Sequence, residues 1–193
     1  TATDHMISVR NNQVTGQIDP ADYLKALLQV EQSAMSRSGN DFNLEWNLMG
    51  PNNLGGRTRA ILFDNRDASG NTVYAGNVLG GIFMSDNGGE KWTMVSEAGG
   101  SLNVSCITQA GNGDIYVGTG EAFGMQDYTI LKEWGYTTGF YGKGIYKSTD
   151  GSNFSLLPST QPVLNGNNEL EWGFVNKIAA HPANGALYAS TNT

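Results

Sequence analysis

Apolar residues recur along this chain with two different periods. Over residues 21–37 (ADYLKALLQVEQSAMSR), Tyr23, Leu24, Leu27, Leu28, Val30, Ala34 and Met35 fall three and four apart, which gathers them on one face of a predicted helix. Asp19 stands as N-cap with Pro20 at the first helical position, and Ser38-Gly39-Asn40 is the stop. Such a face packs either on the helix's own domain, which is the expectation, or on a partner. Residues 1–19 are polar and turn-rich (Asn11-Asn12, Thr15-Gly16), as in an extended arm. From Leu44 onward the runs shorten and are cut by Gly, Asn and Asp. They read as strands: TRAILFD from Thr58, TVYAG from Thr72, GGIFMSD from Gly80, KWTMV from Lys91, VSCITQA from Val104, DIYVG from Asp114, GKGIYKST from Gly142, FSLL from Phe154, VNKIAAH from Val175 and ALYAS from Ala186.

Laid under one another, these runs form an internal repeat. Thr58, Val104 and Val175 open three equivalent units, each followed by a second strand that begins Tyr74-Ala75-Gly76, Tyr116-Val117-Gly118 or Tyr188-Ala189-Ser190. A third strand follows in the first two units, then a polar hairpin and a fourth. Four antiparallel strands per unit make the blade of a β-propeller, so the expected fold class is all-β: a partial propeller preceded by an arm and one helix. The expected division is 1–43 for arm and helix and 44–193 for an incomplete propeller. Its blades fall at about 55–97 and 102–158, with the start of a third at about 172–193.

The hairpins carry the most specific motif. Ser85-Asp86-Asn87-Gly88-Gly89-Glu90-Lys91-Trp92 fits the Asp-box pattern Ser-x-Asp/Asn-x-Gly-x-x-Trp. Asn87 is expected to bond the turn's own N–H groups, Gly88 and Gly89 to take positive φ, and Trp92 to return between sheets. The copy built on Ser148, Asp150 and Phe154 is one residue short, with Phe for Trp. Both are expected to stabilise the fold and bind nothing.

Eighteen acidic against eleven basic residues leave a formal charge of -7, which repels phosphate backbones, and nucleic acid is not an expected partner. Cys106 is the one cysteine, so no internal disulfide or Cys-based metal site forms, and it is expected as a small buried strand residue. His5 and His181 suggest no ligand pair, and the Asn103 and Asn153 sequons are expected to stay unmodified. No cofactor, metal or membrane span is expected.

At this point the chain resembles the Asp-box (BNR repeat) propellers, which include sialidases, xyloglucanase-type glycoside hydrolases, sortilin ectodomains and photosystem assembly factors, over about residues 44–193. More narrowly, the run from Trp46 to Arg59, with Tyr74-Ala75-Gly76, Gly80-Gly81 and Gly118-Thr119-Gly120-Glu121, is similar to the opening of large secreted Bacteroidetes propeller proteins. That resemblance implies export through the type IX secretion system and a place at the extracellular or outer-membrane surface. A propeller needs about four to eight blades, so two and a half are expected to be closed by the remainder of a longer chain or by a protein partner.

The resemblance also bears on chemistry. In xyloglucanase-type propellers a catalytic Asp lies in the second strand of the first blade, and here Val78 stands at that place, which removes one carboxylate of the pair that hydrolysis needs. A sialidase-like reading would make Arg57 or Arg59 the first of three arginines that grip a substrate carboxylate; otherwise Arg57 bonds blade backbone or an acidic neighbour, with Arg59 on the same strand face. The insertion at 121–143 (EAFGMQDYTILKEWGYTTGFYGK) stands where the first unit has only a tight turn. Its Tyr128, Trp134, Tyr136 and Tyr141, with Glu121, are candidate ligand or partner contacts, or else a minicore that holds the loop. The expected function is a secreted surface module that binds protein or glycan, or a scaffold. The alternatives are a glycoside hydrolase whose catalytic residues lie beyond residue 193 and a passive exported cargo or subunit of an outer-membrane complex.

Overall fold

The computed structural model describes residues 5, 8–9, 11–16, 18–36, 56–95, 102–121 and 139–192. Helix α1 (Pro20–Ser36) starts where its cap residues put it: Asp19 Oδ1 accepts the Ala21 N–H at 2.8 Å, and the Asp19 carbonyl accepts the Tyr23 N–H at 3.1 Å. Tyr23, Leu24 and Leu27 are half-buried, while Leu28 and Val30 are 52% and 65% exposed, so the helix packs on its own domain through its first two turns.

The described residues are mostly β, in four antiparallel sheets. The first is a meander of β1 (Thr58–Phe63), β2 (Val73–Asn77), β3 (Gly81–Ser85) and β4 (Thr93–Met94). The second repeats it with β5 (Val104–Gln109), β6 (Ile115–Thr119), β7 (Ile145–Ser148) and β8 (Ser155–Leu156). A 3-10 turn (Pro158–Thr160) and a short ladder of β9 (Val163–Leu164) with β10 (Leu170–Glu171) lead to the pair β11 (Val175–Ala180) and β12 (Leu187–Thr191). The β9–β10 ladder has no counterpart among the described residues of the first unit, and β4 and β8 hold two residues each, shorter than the runs around them suggest.

One register detail recurs three times. The first strand of each unit slips by a residue after its opening position, between Thr58 and Ala60, Val104 and Cys106, and Val175 and Lys177. Such a bulge puts the two residues after the opening one on the same side and restores alternation beyond it. Val104 and Ile107 therefore face the first sheet, whereas Ser105 and Cys106 face β11; Ser105 Oγ bonds the Val175 carbonyl. One core lies between the two meanders: Tyr74, Ile82, Val104, Ile115, Val117, Tyr146 and Phe154, with Leu102. A second, of Cys106, Ile145, Val175 and Ile178, lies between the second meander and β11. Each Val, Leu, Ile or Phe among them contributes about 1.5–3 kcal/mol on leaving water. Cys106 is the buried strand residue expected, and burial pushes its thiol pKa up.

The two hairpins built on Ser85 and Ser148 close on themselves. In the first, the Ser85 hydroxyl donates to Asn87 Oδ1 at 2.8 Å, Asn87 Oδ1 accepts the Lys91 N–H at 3.0 Å, and Gly88 and Gly89 take φ of 73° and 96°. In the second, Asp150 Oδ1 accepts from Ser148 Oγ and from the Ser152 and Asn153 N–H groups, which holds its carboxyl well below the usual range. Trp92 does not return between sheets. It stays 40% exposed and its indole N–H turns back to the Gly89 carbonyl at 3.0 Å, whereas the equivalent Phe154 is buried.

Candidate functional site

Antiparallel register places the ends of the sheets. Thr58 pairs with Asn77, and Phe63 with Val73, whose other neighbour is Ser85; the hairpin that follows Ser85 therefore leaves the end where β1 finishes. Arg57, just before β1, and Glu121, just after β6, belong to the opposite end. Three residues singled out in the sequence meet there. Glu121 Oε2 is ion-paired with Arg57 Nη2, and Arg59 Nη1 stands 3.8 Å from Oε1. The Glu121 side chain is 1% exposed, and among the described residues Oε1 has no hydrogen-bond partner. A carboxylate this buried is tolerated because cations compensate it. Arg57, by contrast, is 52% exposed, so one edge of its fork is held by Glu121 and the other meets solvent. Fixed in this way, a guanidinium is suited to oxygen-bearing ligands. Glu121 acts here as the group that positions Arg57.

Glu121 is also the neck of the insertion. Its N–H donates to the Phe140 carbonyl at 2.8 Å and its carbonyl accepts the Phe140 N–H at 2.9 Å. Behind that bridge, Thr119 Oγ1 accepts the Lys143 N–H at 2.7 Å, and the Gly142 N–H donates to the Gly173 carbonyl at 2.7 Å, so the base is stitched to its own sheet and to the segment entering β11. Tyr141 lies between Tyr23 of α1 and Phe174, with ring centroids 5.0 Å from each, and its carbonyl accepts from Asn103 Nδ2 at 2.9 Å. Burial pushes the Tyr23 hydroxyl up to about 12. Tyr141 thus ties the insertion to the helix. Tyr128, Trp134 and Tyr136 lie outside the described residues. Val78, at the place of the missing carboxylate, is wholly buried and its N–H donates to the Arg57 carbonyl, a core role.

At the hairpin end lies a cluster not singled out in the sequence. Asp64 accepts from Arg66 Nη2 at 2.6 Å and Nε at 2.9 Å and from Gln109 Nε2 at 2.9 Å; the Arg66 hydrogen bonds hold its carboxyl down at about 2. Arg66 Nη1 goes on to the Thr149 carbonyl of the second hairpin at 3.1 Å, so this cluster clamps the two meanders together. An Asp-x-Arg directly after the opening strand was its only signal. His181 Nδ1 accepts the Ala183 and Asn184 N–H groups, a strand-end role. Among the described residues no group of three or more His, Cys, Asp or Glu could hold a metal ion, and no helix is long and apolar enough to cross a membrane.

No protein-family model matches the chain, and no curated protein matches it. Among solved structures, the GH74 enzyme of Niastella koreensis is matched at 21% identity with a TM-score of 0.37, over 56% of this chain. The chain covers 14% of that enzyme's length. A likeness of this grade carries no argument about fold or activity.

Proposed function

We propose that the chain forms consecutive blades of a secreted, Asp-box-containing β-propeller that acts as a binding or scaffold module at the cell surface, recognising protein or glycan. The observation that carries this reading is the meeting of Arg57, Arg59 and Glu121 at the base of the aromatic insertion, on the end of the sheets away from the self-satisfied hairpins. A charged fork beside flat side chains is the equipment of recognition, since aromatic faces supply contact area and a fixed guanidinium supplies orientation. Glu121 is buried and held by the two arginines, which suits a binding module better than acid-base hydrolysis by that carboxylate. Further sheets, from a longer polypeptide or a protein partner, complete the propeller in this reading, and export places it outside the cell.

The test is binding by the purified protein to arrayed glycans and to outer-membrane preparations, beside Arg57→Ala and Trp134→Ala. The reading expects a saturable ligand whose affinity falls at least about tenfold in both variants, as for central contacts of an interface. A ligand held equally by all three proteins, or turnover of a glycan by the wild type, would overturn it.

A further inference from the structure

The chain makes the same sheet-to-sheet joint twice, and its two halves can be read position by position. The forward half, on the second strand of a unit, is a tyrosine and a glycine: Tyr74 and Gly76 in the first unit, Tyr116 and Gly118 in the second. The backward half is a β-branched residue that opens the next first strand and an isoleucine three residues on: Val104 with Ile107, then Val175 with Ile178. The glycine is a seat for the valine. A Cβ on Gly76 would stand 2.3 Å from Val104 Cγ1, and one on Gly118 would stand 2.7 Å from Val175 Cγ1. The bulge lets this fit repeat, because it returns the residue three positions on to the face of the opening one.

Among the described residues both halves occur once more without a mate. On β1 the backward half is Thr58 and Ile61, followed by Phe63; Ile61 and Phe63 are each 65% exposed, although Ile178, at the position of Ile61, is 5% exposed. On β12 the forward half is Tyr188 and Ser190; Tyr188 is 62% exposed, although Tyr74 at its position is 1% exposed. Trp92 and Met94, 40% and 54% exposed, extend the bare face of the first meander, where Phe154 of the second is buried. The third seat departs from the pattern by one side chain, and so does its counterpart: where Gly and Val meet in the inner joints, Ser190 would meet Thr58, a hydroxyl on each.

We infer that the β11–β12 face bearing Tyr188 and Ser190 and the β1 face bearing Thr58, Ile61 and Phe63 are mating halves of one interface, and that a second copy of this chain docks there head to tail. Continuity with the two inner joints identifies the occupant, since the chain itself supplies the surface that each bare half fits. Contact of this kind is heterologous: each copy keeps one free half, so association runs on to open strings or a closed ring and does not stop at a two-fold dimer. The inference rests on the reading of the sheets as propeller units but not on any ligand.

The experiment is sedimentation velocity of the wild-type chain over a concentration series, beside Ile61→Glu, Tyr188→Glu and an equimolar mixture of the two. Both substitutions are at exposed positions, and circular dichroism melts confirm that the variants fold. The wild type should grow beyond dimer with concentration, and each variant alone should stay monomeric. The mixture should stop at a one-to-one dimer, because one variant retains a sound forward half and the other a sound backward half. A wild type that remains monomeric overturns the inference and leaves further polypeptide as the cover of those faces, with the propeller reading intact. Oligomers that either variant leaves unchanged, or that form back to back, also overturn it.

Discussion

Trp92 and Phe154 occupy the same place in the two meanders, each just before the fourth strand. The tryptophan closes the longer Ser85 hairpin and the phenylalanine the Ser148 hairpin that is one residue shorter, yet it is the phenylalanine that is buried, in the core that Tyr74 and Ile82 share with the second meander. Motif quality therefore does not set burial. What sets it is whether another sheet lies against that face: the second meander has the first behind it, and among the described residues no sheet lies behind the first. Ile61, Ile107 and Ile178 show the same gradation along the opening strands.

The sharpest way to break the comparison is to truncate both aromatic residues. Phe154→Ala should cost about 3–5 kcal/mol of unfolding free energy, whereas Trp92→Ala should cost well under half of that, by urea titration of each variant. Gly118→Val tests the seat: overpacking against Val175 should cost about 1–3 kcal/mol or more, and Gly118→Val with Val175→Ala should recover part of the loss, since the two changes share one space. Asp64→Asn removes the clamp between the meanders and leaves Arg66 without its charged partner, for a loss of about 1–3 kcal/mol at neutral pH. The sign of its pH dependence follows from the lowered carboxyl. The stabilisation by Asp64 is present above its ordinary value of 3.8 and lost as pH falls toward about 2, so wild type and Asp64→Asn should converge in stability on acidification over that range.

Much of this fold was legible in the chain. Thr58, Val104 and Val175 open the three first strands, as the repeat suggests, and Asp19 and Pro20 start the helix. Local chemistry explains why: caps, turn glycines and two-residue alternation act over a few positions. The bulge escaped because a single extra residue leaves the apolar pattern almost unchanged. The exposure of Trp92 escaped because a side chain's neighbours across a sheet face are not written in its own strand. At the candidate site, Arg57, Arg59 and Glu121 were each named, but their meeting spans 64 positions and depends on the two meanders lying side by side. The Asp64 clamp escaped for the same reason, with Gln109 and Thr149 arriving from the second meander.

The central claim is that equivalent positions are core or surface according to the sheet behind them. Its most direct test pairs Ile178→Ala with Ile61→Ala, one residue 5% and the other 65% exposed, in unfolding measured at a dilution where the chain is monomeric. The account predicts a loss of about 2–5 kcal/mol for Ile178→Ala and within about 0.5 kcal/mol of wild type for Ile61→Ala. Equal losses at the two positions would contradict it.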